Sequence, residues 1–413
     1  MKKLKVLWFS NTPGLANEYL NKNDSLKTGS WMNLINEKMA ELVDLHIIFP
    51  GKTNINFAYK NTKYYQIKMH NRNLLQKFRN RIIPLRLDIN FIKSKCLKII
   101  KELKPDIIHV FGTELPWGII QDYVNIPVVI SIQGNLTAYV PFYFRGISTI
   151  DIIRYSNFRI KKKIYLGFRR FVNNSFIEKK ILLRSKYIIG RTDWDRRITR
   201  VLAPNSEYYS NEETLRKIFY SEQWKIPNST TINLFTVTGR VTYKGFETVV
   251  KTAILLDKMN LNFKWHIAGL EKYNGIVQIL SKKIGLSDNI KFEGIIDEKA
   301  IIDLLKISHI YIMPSHIENG SIVLSEAMIT GIPVITTLAG GTSSRLQDGK
   351  EGLMIQPGDP YSLAGSIIET MNKYNNAIKM GKLARQKALK RHNTDTIRNQ
   401  LLGIYKQVII NNK

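Results

Sequence analysis

The chain has 413 residues, more than one hydrophobic core usually serves, so two domains are the natural prediction. Hydrophobic residues make up 44% of the sequence and charged residues 23%, which excludes wholesale disorder. The single cysteine, Cys96, excludes an internal disulfide and a cysteine-based metal cluster, and it favours a reducing, cytoplasmic location.

The positive charge is concentrated in the first half of the chain. The net charge is +29, and residues 1–200 hold 36 Lys and Arg against 14 Asp and Glu, whereas residues 201–413 hold 26 against 19. We therefore expect any anionic partner to bind the first half. No apolar run approaches the roughly 18 residues of a spanning helix, so we expect none.

Short apolar runs alternate with longer helical stretches throughout the chain. Runs that are apolar throughout and separated by helices are typical of a parallel sheet covered on both faces. In the first half these runs are KVLWFS, LHIIFP, DIIHVFG, VVISIQG and YIIGRT. They predict a Rossmann-like domain over residues 1–205.

A second set of runs follows the polar stretch between Pro204 and Pro227, where we place the domain boundary. The runs are LFTVTGR, FKWHIAG, IKFEGII, HIYIMPS and PVITT, and they predict a second doubly wound domain over residues 206–390. Residues 391–413 predict a helix that is capped at Thr394 and packs on one of the domains. Its apolar positions are Ile397, Leu401, Ile404 and Val408.

The segment ENGSIVLSEAMITGIPVITT predicts a loop that leads into a buried helix. Glu318 lies in the loop, and the helix runs from about Ser321 to Thr330 with Gly331 as its C-terminal cap. Helix N-termini favour anions such as a diphosphate. Glu326 lies roughly 7.5 Å farther along the helix, so the two carboxylates can reach different parts of one elongated ligand.

Glu326 needs a partner because its helix is apolar nearly all round. The diol of a ribose is one candidate. A structural salt bridge with Lys or Arg from a neighbouring helix is the other.

The segment VTGRVTYKG supplies two cations near a predicted strand end. Arg240 follows the strand directly, and Lys244 comes four residues later. Together they suit a diphosphate whose negative charge grows as a bond to it breaks. Taken singly, each is more often a surface charge.

Three strings give the chain a family resemblance: Gly239-Arg240 to Lys244-Gly245, the Glu318 to Glu326 spacing, and GKEGLMIQPGDPYSLAGSI. Between Leu234 and Ile368 the sequence closely resembles retaining glycosyltransferases of the GT-B fold, the group 1 or family 4-like enzymes that use nucleotide sugars. The resemblance implies an α/β chain with two Rossmann-like domains that face a central cleft. It also implies a final helix that crosses back to the first domain.

The resemblance also implies roles for individual residues. Arg240 and Lys244 would hold the donor diphosphate, Glu318 the sugar hydroxyls and Glu326 the ribose. The backbone N–H groups of four residues would help Glu318 to bind the donor: Asn319, Gly320, Ser321 and Ile322. The remaining donor-binding positions are Gly239 and Gly294, of which Gly294 lies in the segment that borders the base.

The first half departs from the family at two positions. Gln133 stands near the place where many relatives have a histidine that touches the sugar, and Gly29-Ser30 stands where a glycine pair is common. We retain Gln133 and Gly29 as candidate contacts to the sugar or the acceptor.

The function implied is retaining transfer from a nucleoside-diphosphate sugar, with UDP as the expected nucleotide, to a glycan or lipid-linked diphosphate acceptor. Surface polysaccharide biosynthesis is the expected setting, and neither a metal nor another cofactor is expected. Two alternatives remain open: a non-catalytic nucleotide-sugar-binding protein, and a basic nucleic-acid-binding protein.

Other polar residues receive structural interpretations. Asp193 and Asp195 form a D-x-D pair that could hold a metal, but they open a helical run, where acidic residues commonly cap the helix. His109, His266 and His309 show no metal-ligand spacing and are expected to be structural.

A basic window from Arg154 to Lys186 predicts an amphipathic helix. Its apolar positions are Ile164, Phe168, Phe171 and Val172, followed by Ser175. Such a helix could lie on an anionic bilayer, which would place the protein peripherally at the inner face of the cell membrane. A solvated charged face is the alternative.

Overall fold

The computed structural model describes residues 3–20, 31–69 and 89–412. The chain divides into two compact units. Unit 1 contains Met1–Val140, Leu166–Thr214 and His392–Lys413, and unit 2 contains Pro141–Tyr165 and Leu215–Arg391.

The strands and helices have the following bounds. The strands are β1 (Lys5–Phe9), β2 (Asp44–Gly51), β3 (Ile55–Tyr59), β4 (Thr62–Lys68), β5 (Ile107–Phe111), β6 (Val128–Ser131), β7 (Tyr187–Gly190), β8 (Glu207–Ser210), β9 (Ile232–Val237), β10 (Phe263–Ala268), β11 (Ile290–Gly294), β12 (Ile310–Met313), β13 (Val334–Thr337) and β14 (Leu353–Ile355). The α-helices are α1 (Ala16–Leu20), α2 (Met32–Leu42), α3 (Ile89–Leu103), α4 (Leu136–Tyr139), α5 (Thr149–Tyr155), α6 (Phe158–Arg184), α7 (Asp193–Leu202), α8 (Ile218–Ser221), α9 (Phe246–Lys258), α10 (Gly275–Ile284), α11 (Glu298–Ile307), α12 (Ile322–Thr330), α13 (Pro360–Asn372), α14 (Tyr374–Arg391) and α15 (Thr394–Asn411). In the part of the chain described here, no helix is long and apolar enough to cross a membrane.

Unit 1 is built on an eight-stranded sheet with the order β3-β4-β2-β1-β5-β6-β7-β8. All five strands predicted from the first half are present. The pairings are parallel except that β3 runs antiparallel to β4. The strands β3, β4 and β8 were not predicted, because their polar residues interrupt the apolar pattern. Strand β8 lies inside the stretch that the sequence indicated as a polar boundary.

Unit 2 contains a parallel six-stranded sheet with the order β11-β10-β9-β12-β13-β14. The chain runs outward from β9 to β11 on one side and then returns to β12 and continues to β14. The strand order therefore reverses between β9 and β12. In open α/β sheets, ligands bind at the carboxyl ends of the strands at such a reversal.

The last helix, α15, belongs to the core of unit 1. Ile397, Leu401, Ile404 and Val408 are all buried, as predicted from their spacing. The cap is Asn393 instead of Thr394, since the Asn393 side chain accepts a hydrogen bond from the backbone N–H of Thr396 at 2.9 Å.

A buried chain of polar groups ties this helix to the sheet of unit 1. The hydroxyl of Tyr405 accepts a hydrogen bond from Trp8 Nε1 at 2.9 Å and lies 2.5 Å from His109 Nδ1. His109 Nε2 lies 2.6 Å from Ser131 Oγ. Burial lowers the pKa of His109 to about 3, so the ring is neutral near pH 7. His109 is therefore a core residue, as predicted.

The division into units agrees with the prediction only in part. The units separate at Thr214 and Leu215, inside the predicted stretch from Pro204 to Pro227 but later than residues 205 and 206, and residues 141–165 belong to unit 2. Ile147 and Ile152 lie in the unit 2 core, and Lys283 Nζ lies 2.8 Å from Asp151. No shift in composition marks this excursion, because only packing against distant residues of unit 2 decides it.

Candidate functional site

Lys244 and Glu318 meet at the carboxyl edge of the unit 2 sheet, where the strand order reverses. Lys244 ends the short 3₁₀ turn that follows β9, and Glu318 lies in the loop between β12 and α12. Nζ of Lys244 donates to Oε1 of Glu318, and Oγ of Ser315 donates to the same oxygen at 3.0 Å. Glu318 is buried, whereas the Lys244 side chain remains 28% exposed. The ammonium group can therefore still reach a ligand.

Two glycines allow the loops around this pair to approach closely. Gly245 has φ +75°, and a Cβ atom there would lie 1.9 Å from the backbone oxygen of Pro314. Gly340 has φ +54°, and a Cβ there would lie 2.1 Å from the backbone oxygen of Glu318. Only glycine adopts these conformations at such short range. Glycine at both positions therefore brings the Lys244 turn, the Glu318 loop and the loop after β13 together.

The first turn of α12 begins directly after the Glu318 loop. Ser321 caps the helix, because its side chain accepts from the backbone N–H of Leu324. Asn319 is buried, and Gly320 and Ile322 are partly buried. Gly331, with φ +89°, caps the other end as predicted. The structure thus places Asn319 to Ile322 at a helix N-terminus, where backbone N–H groups favour an anionic ligand.

Arg240 has a different partner from Lys244. Its Nη2 lies 2.9 Å from Oε1 of Glu271, in the loop after β10, and both side chains are about half exposed. An exposed pair of this kind contributes little stability, so a ligand can replace Glu271 at low cost.

The two predicted glycines near the strand ends differ. A Cβ atom at Gly239 would contact nothing within 4 Å, so packing does not require glycine there. Gly294 ends β11 with φ +70° and accepts a hydrogen bond from the backbone N–H of Gly269 at 2.7 Å. The backbone conformation therefore favours glycine at 294.

Glu326 already has a protein partner, which corrects the reasoning that its burial calls for a ligand. Its two carboxylate oxygens accept from Nε and Nη2 of Arg216, at 2.7 and 2.6 Å. The carboxylate is buried, and burial raises its pKa while Arg216 opposes the rise. The salt bridge considered at the sequence level is thus present. The assignment of Glu326 to a ribose remains a prediction that rests on family resemblance alone.

A second buried pair, Glu247 and His316, was not predicted. His316 Nε2 lies 2.5 Å from Oε1 of Glu247, and both residues are buried. Glu247 is in the first turn of α9, and His316 follows β12 by three residues. The one feature of the sequence that could have indicated this pair is its position, since Glu247 lies three residues after Lys244 and His316 lies two residues before Glu318.

Residues 220–387 match the sequence model of the family Glycosyl transferases group 1. The chain carries a group 1 glycosyltransferase domain. Lys244, Glu318 and Glu326 all lie within it.

Curated relatives of this glycosyltransferase domain are similar over part of their length. Over 141 residues, the chain is 26% identical to a D-inositol 3-phosphate glycosyltransferase of Corynebacterium urealyticum. The matched region covers 34% of this chain and 33% of that protein. Over 134 residues, it is 30% identical to the N-acetyl-alpha-D-glucosaminyl L-malate synthase of Bacillus anthracis, covering 32% and 35%. The chain thus spans about a third of each of these two relatives.

Solved structures resemble this chain over nearly its whole length. Sucrose-phosphate synthase from Thermosynechococcus elongatus has a TM-score of 0.73 at 13% identity, covering 99% of this chain and 100% of that one. Anabaena HepE in complex with UDP and glucose has a TM-score of 0.67 at 14% identity, covering 98% and 100%. The predicted GT-B class, with two Rossmann-like parallel-sheet units, is confirmed.

Of the two site residues predicted in the first half of the chain, the structure describes Gln133. Gln133 follows β6 in unit 1, and its backbone oxygen accepts from Nη2 of Arg191 at 2.9 Å. Both residues line an open cavity of about 370 Å³, a volume that includes the space at its entrance. Asn211 and Trp31 also line it. Gly29 lies outside the described residues.

In the D-x-D pair, Asp195 takes part in capping a helix, as predicted. Thr192 and Asp195 form a reciprocal capping box at the start of α7, and Asp193 pairs with Arg196 at 2.8 Å. Within the described ranges, no group of three or more His, Cys, Asp or Glu side chains could hold a metal ion.

Proposed function

We propose that this protein transfers a sugar from a nucleoside diphosphate to an acceptor hydroxyl group. The contact between Lys244 and Glu318 within a group 1 glycosyltransferase domain carries the proposal. A nucleotide sugar has an anionic diphosphate next to a neutral polyhydroxyl ring. An ammonium group beside a carboxylate is complementary to that junction, because the first attracts phosphate oxygens and the second accepts from sugar hydroxyls.

Positively charged groups at the site would also assist the departure of the diphosphate. As the bond between the anomeric carbon and the phosphate oxygen breaks, negative charge grows on that oxygen. Lys244, Arg240 and the first-turn N–H groups of α12 would stabilise the charge. These groups supply positive charge from the chain itself, and we propose transfer that does not depend on a metal.

We propose that transfer retains the configuration of the sugar. Glu318 is engaged by Lys244 and Ser315, which suits a ligand for hydroxyls better than a nucleophile. In our proposal the acceptor oxygen attacks from the face that the diphosphate leaves. The new carbon–oxygen bond forms as the old one breaks, and the acceptor proton passes to the departing phosphate oxygen.

The donor is proposed to be a UDP-sugar, with support from the structural similarity to HepE in complex with UDP and glucose. We expect a UDP-sugar to raise the unfolding temperature more than GDP- or ADP-sugars do. A ligand at a hundred times its Kd adds about 2.7 kcal/mol to the free energy of unfolding. Thermal-shift measurements, followed by an assay for released UDP, test this expectation.

The outcomes of that screen separate the alternatives. Stabilisation by a nucleotide sugar without release of nucleotide, in the presence of acceptor extracts, would identify a non-catalytic binding protein. Salt-sensitive binding of random oligonucleotides without any effect of nucleotide sugars would favour a nucleic-acid-binding protein.

We propose a glycan or lipid-linked acceptor at an anionic membrane surface, in surface polysaccharide biosynthesis. Between residues 166 and 184, one face of α6 is exposed and carries Arg169, Arg170, Lys179 and Lys180 with two apolar residues. Phe176 is 57% exposed and Leu183 is 61% exposed. Apolar side chains among basic ones suit the interface of an anionic bilayer.

This face is not the one that the sequence indicated. Ile164, Phe168, Phe171 and Val172 are partly buried, and Ser175 is buried, so these residues face the protein. Helical periodicity identifies an apolar stripe, but in this helix the stripe packs inward, as an amphipathic helix of a globular protein usually does.

Flotation with liposomes tests the membrane proposal. We expect the protein to float with vesicles that contain about one-third phosphatidylglycerol and to remain behind with pure phosphatidylcholine. The double variant Lys179→Glu/Lys180→Glu should bind less, since each basic residue contributes about 1 kcal/mol near an anionic surface. Tyr361→Ser, at a residue of unit 2 that is 74% exposed, is the control. Equal flotation with both lipids would contradict the proposal.

A further inference from the structure

Glu247 and His316 form an enclosed pair whose side chains have little room to move. Oε1 of Glu247 lies 2.5 Å from His316 Nε2 and also accepts from Oγ1 of Thr248 at 2.9 Å. A Cβ atom at Gly146 would lie 2.1 Å from Cδ of Glu247, and one at Gly358 would lie 3.0 Å from Cε1 of His316. Because the backbone passes so near on both sides, the two side chains are held in one arrangement.

The pair joins the two segments that carry Lys244 and Glu318. Glu247 lies three residues after Lys244, and His316 lies two residues before Glu318. The same segments are also joined through the backbone, since the N–H of His316 donates to the oxygen of Tyr243 at 2.7 Å. The bond between Glu247 and His316 is a further cross-link between segments that are 69 residues apart in the chain.

We infer that Glu247 and His316 are positioning residues for the Lys244 and Glu318 pair. This inference rests on the proposed function. The bond holds the Glu318 loop against the start of α9, so that the ammonium and the carboxylate keep their separation when a donor binds. Positioning of this kind acts on the transition state, where a displacement of about 1 Å costs on the order of a hundredfold in rate.

A purely structural role makes a different prediction. A buried pair that only supports the fold would lower the free energy of unfolding when broken and leave the kinetics of the folded enzyme unchanged. A positioning pair lowers kcat at temperatures where the protein is fully folded. Its effect on the KM of the donor is small, because the contacts to the rest of the nucleotide remain.

Kinetics with matched histidine variants test the inference. We expect His316→Leu to lower the kcat of UDP release by about tenfold or more, with the donor KM changed less than about threefold. His316→Gln should restore most of the rate, since its amide can donate toward Glu247. His309→Leu is the control: His309 is a buried histidine just before β12, and its Nδ1 accepts from the N–H of Asn233 at 3.0 Å. That variant also loses a buried hydrogen bond and should keep the wild-type kcat.

Hydrogen exchange provides a second measurement that needs no turnover. Amides of residues 315–319 should exchange faster in His316→Leu than in the wild type, and at the wild-type rate in His309→Leu. Unchanged exchange in His316→Leu overturns the inference, as does a wild-type kcat in that variant or an equal loss in His309→Leu. A wild-type protein that releases no nucleotide contradicts the proposed function instead, and the exchange experiment then still shows whether the pair holds the Glu318 loop in place.

Discussion

Replacing Lys244 with methionine is expected to lower the rate of sugar transfer by about 10²- to 10³-fold. The substitution keeps the apolar stem of the side chain and removes the ammonium group that contacts Glu318. Two effects combine, since the growing charge on the diphosphate loses one of its proposed cations and the Glu318 carboxylate loses one of its two described hydrogen-bond donors. Steady-state kinetics with the donor identified by the thermal-shift screen measure the loss.

Lys251→Met is the matched control for Lys244→Met. Lys251 is an exposed lysine on α9, so its replacement changes the net charge equally without touching the site. We expect wild-type kinetics. Circular dichroism and thermal unfolding should show that Lys244→Met is folded at the assay temperature. A folded Lys244→Met enzyme with more than half of the wild-type kcat would remove Lys244 from the mechanism.

Replacing Arg216 with methionine is expected to lower the free energy of unfolding by about 3–5 kcal/mol. Both oxygens of Glu326 bind the Arg216 guanidinium, and Glu326 is 1% exposed. The variant leaves this carboxylate without its cation in an apolar helix. Urea denaturation measures the change. Lys306→Met is the control, because it removes an ion pair between partly exposed side chains, Lys306 and Glu222. It should lower the free energy of unfolding by about 1 kcal/mol or less.

The stability deficit of Arg216→Met should depend on pH. Burial raises the pKa of Glu326 in the folded protein, and Arg216 opposes this rise. Without Arg216 the folded-state pKa rises further above the unfolded value of about 4.3. A carboxyl with a raised folded pKa favours folding below the unfolded pKa, and this contribution is lost as the pH rises through the folded pKa. The deficit should therefore be smallest in acid and grow toward neutral pH.

The Arg216 variant also distinguishes the two interpretations of Glu326. If the ion pair supports the fold, Arg216→Met/Glu326→Leu should recover most of the stability, because a well-packed apolar pair often replaces a buried ion pair at no cost. If Glu326 is kept for a ribose, the recovered double variant should still fail to bind the donor. A stable Arg216→Met variant with wild-type unfolding would contradict the structural importance of the pair.

The sequence identified correctly those features that depend on neighbouring residues. The apolar runs predicted ten strands that the structure contains, and Ser321 and Gly331 marked the ends of α12. The capping role of Asp195 at the start of α7 likewise followed from local pattern. Polar strands such as β8 were missed because an edge strand does not need an apolar sequence.

The candidate site was predicted in part. Lys244 and Glu318 were placed at two strand ends, and since those strands are neighbours in the sheet the two side chains meet. Glu326 was correctly predicted to be buried, but its partner Arg216 is 110 residues away in a stretch that resembled a linker. The pair of His316 and Glu247 was not predicted for the same reason, because its two members are 69 residues apart in the chain.

The sequence by itself determined ten of the strands, the glycine that ends α12, and the short strings that carry the family resemblance. These features follow from backbone preferences and apolar periodicity within about ten residues. The tertiary structure alone decided which cation neutralises Glu326, which unit residues 141–165 join and which face of α6 is exposed. Burial and ion pairing depend on groups brought together from distant parts of the chain, and the local sequence does not indicate which distant residues will be in contact.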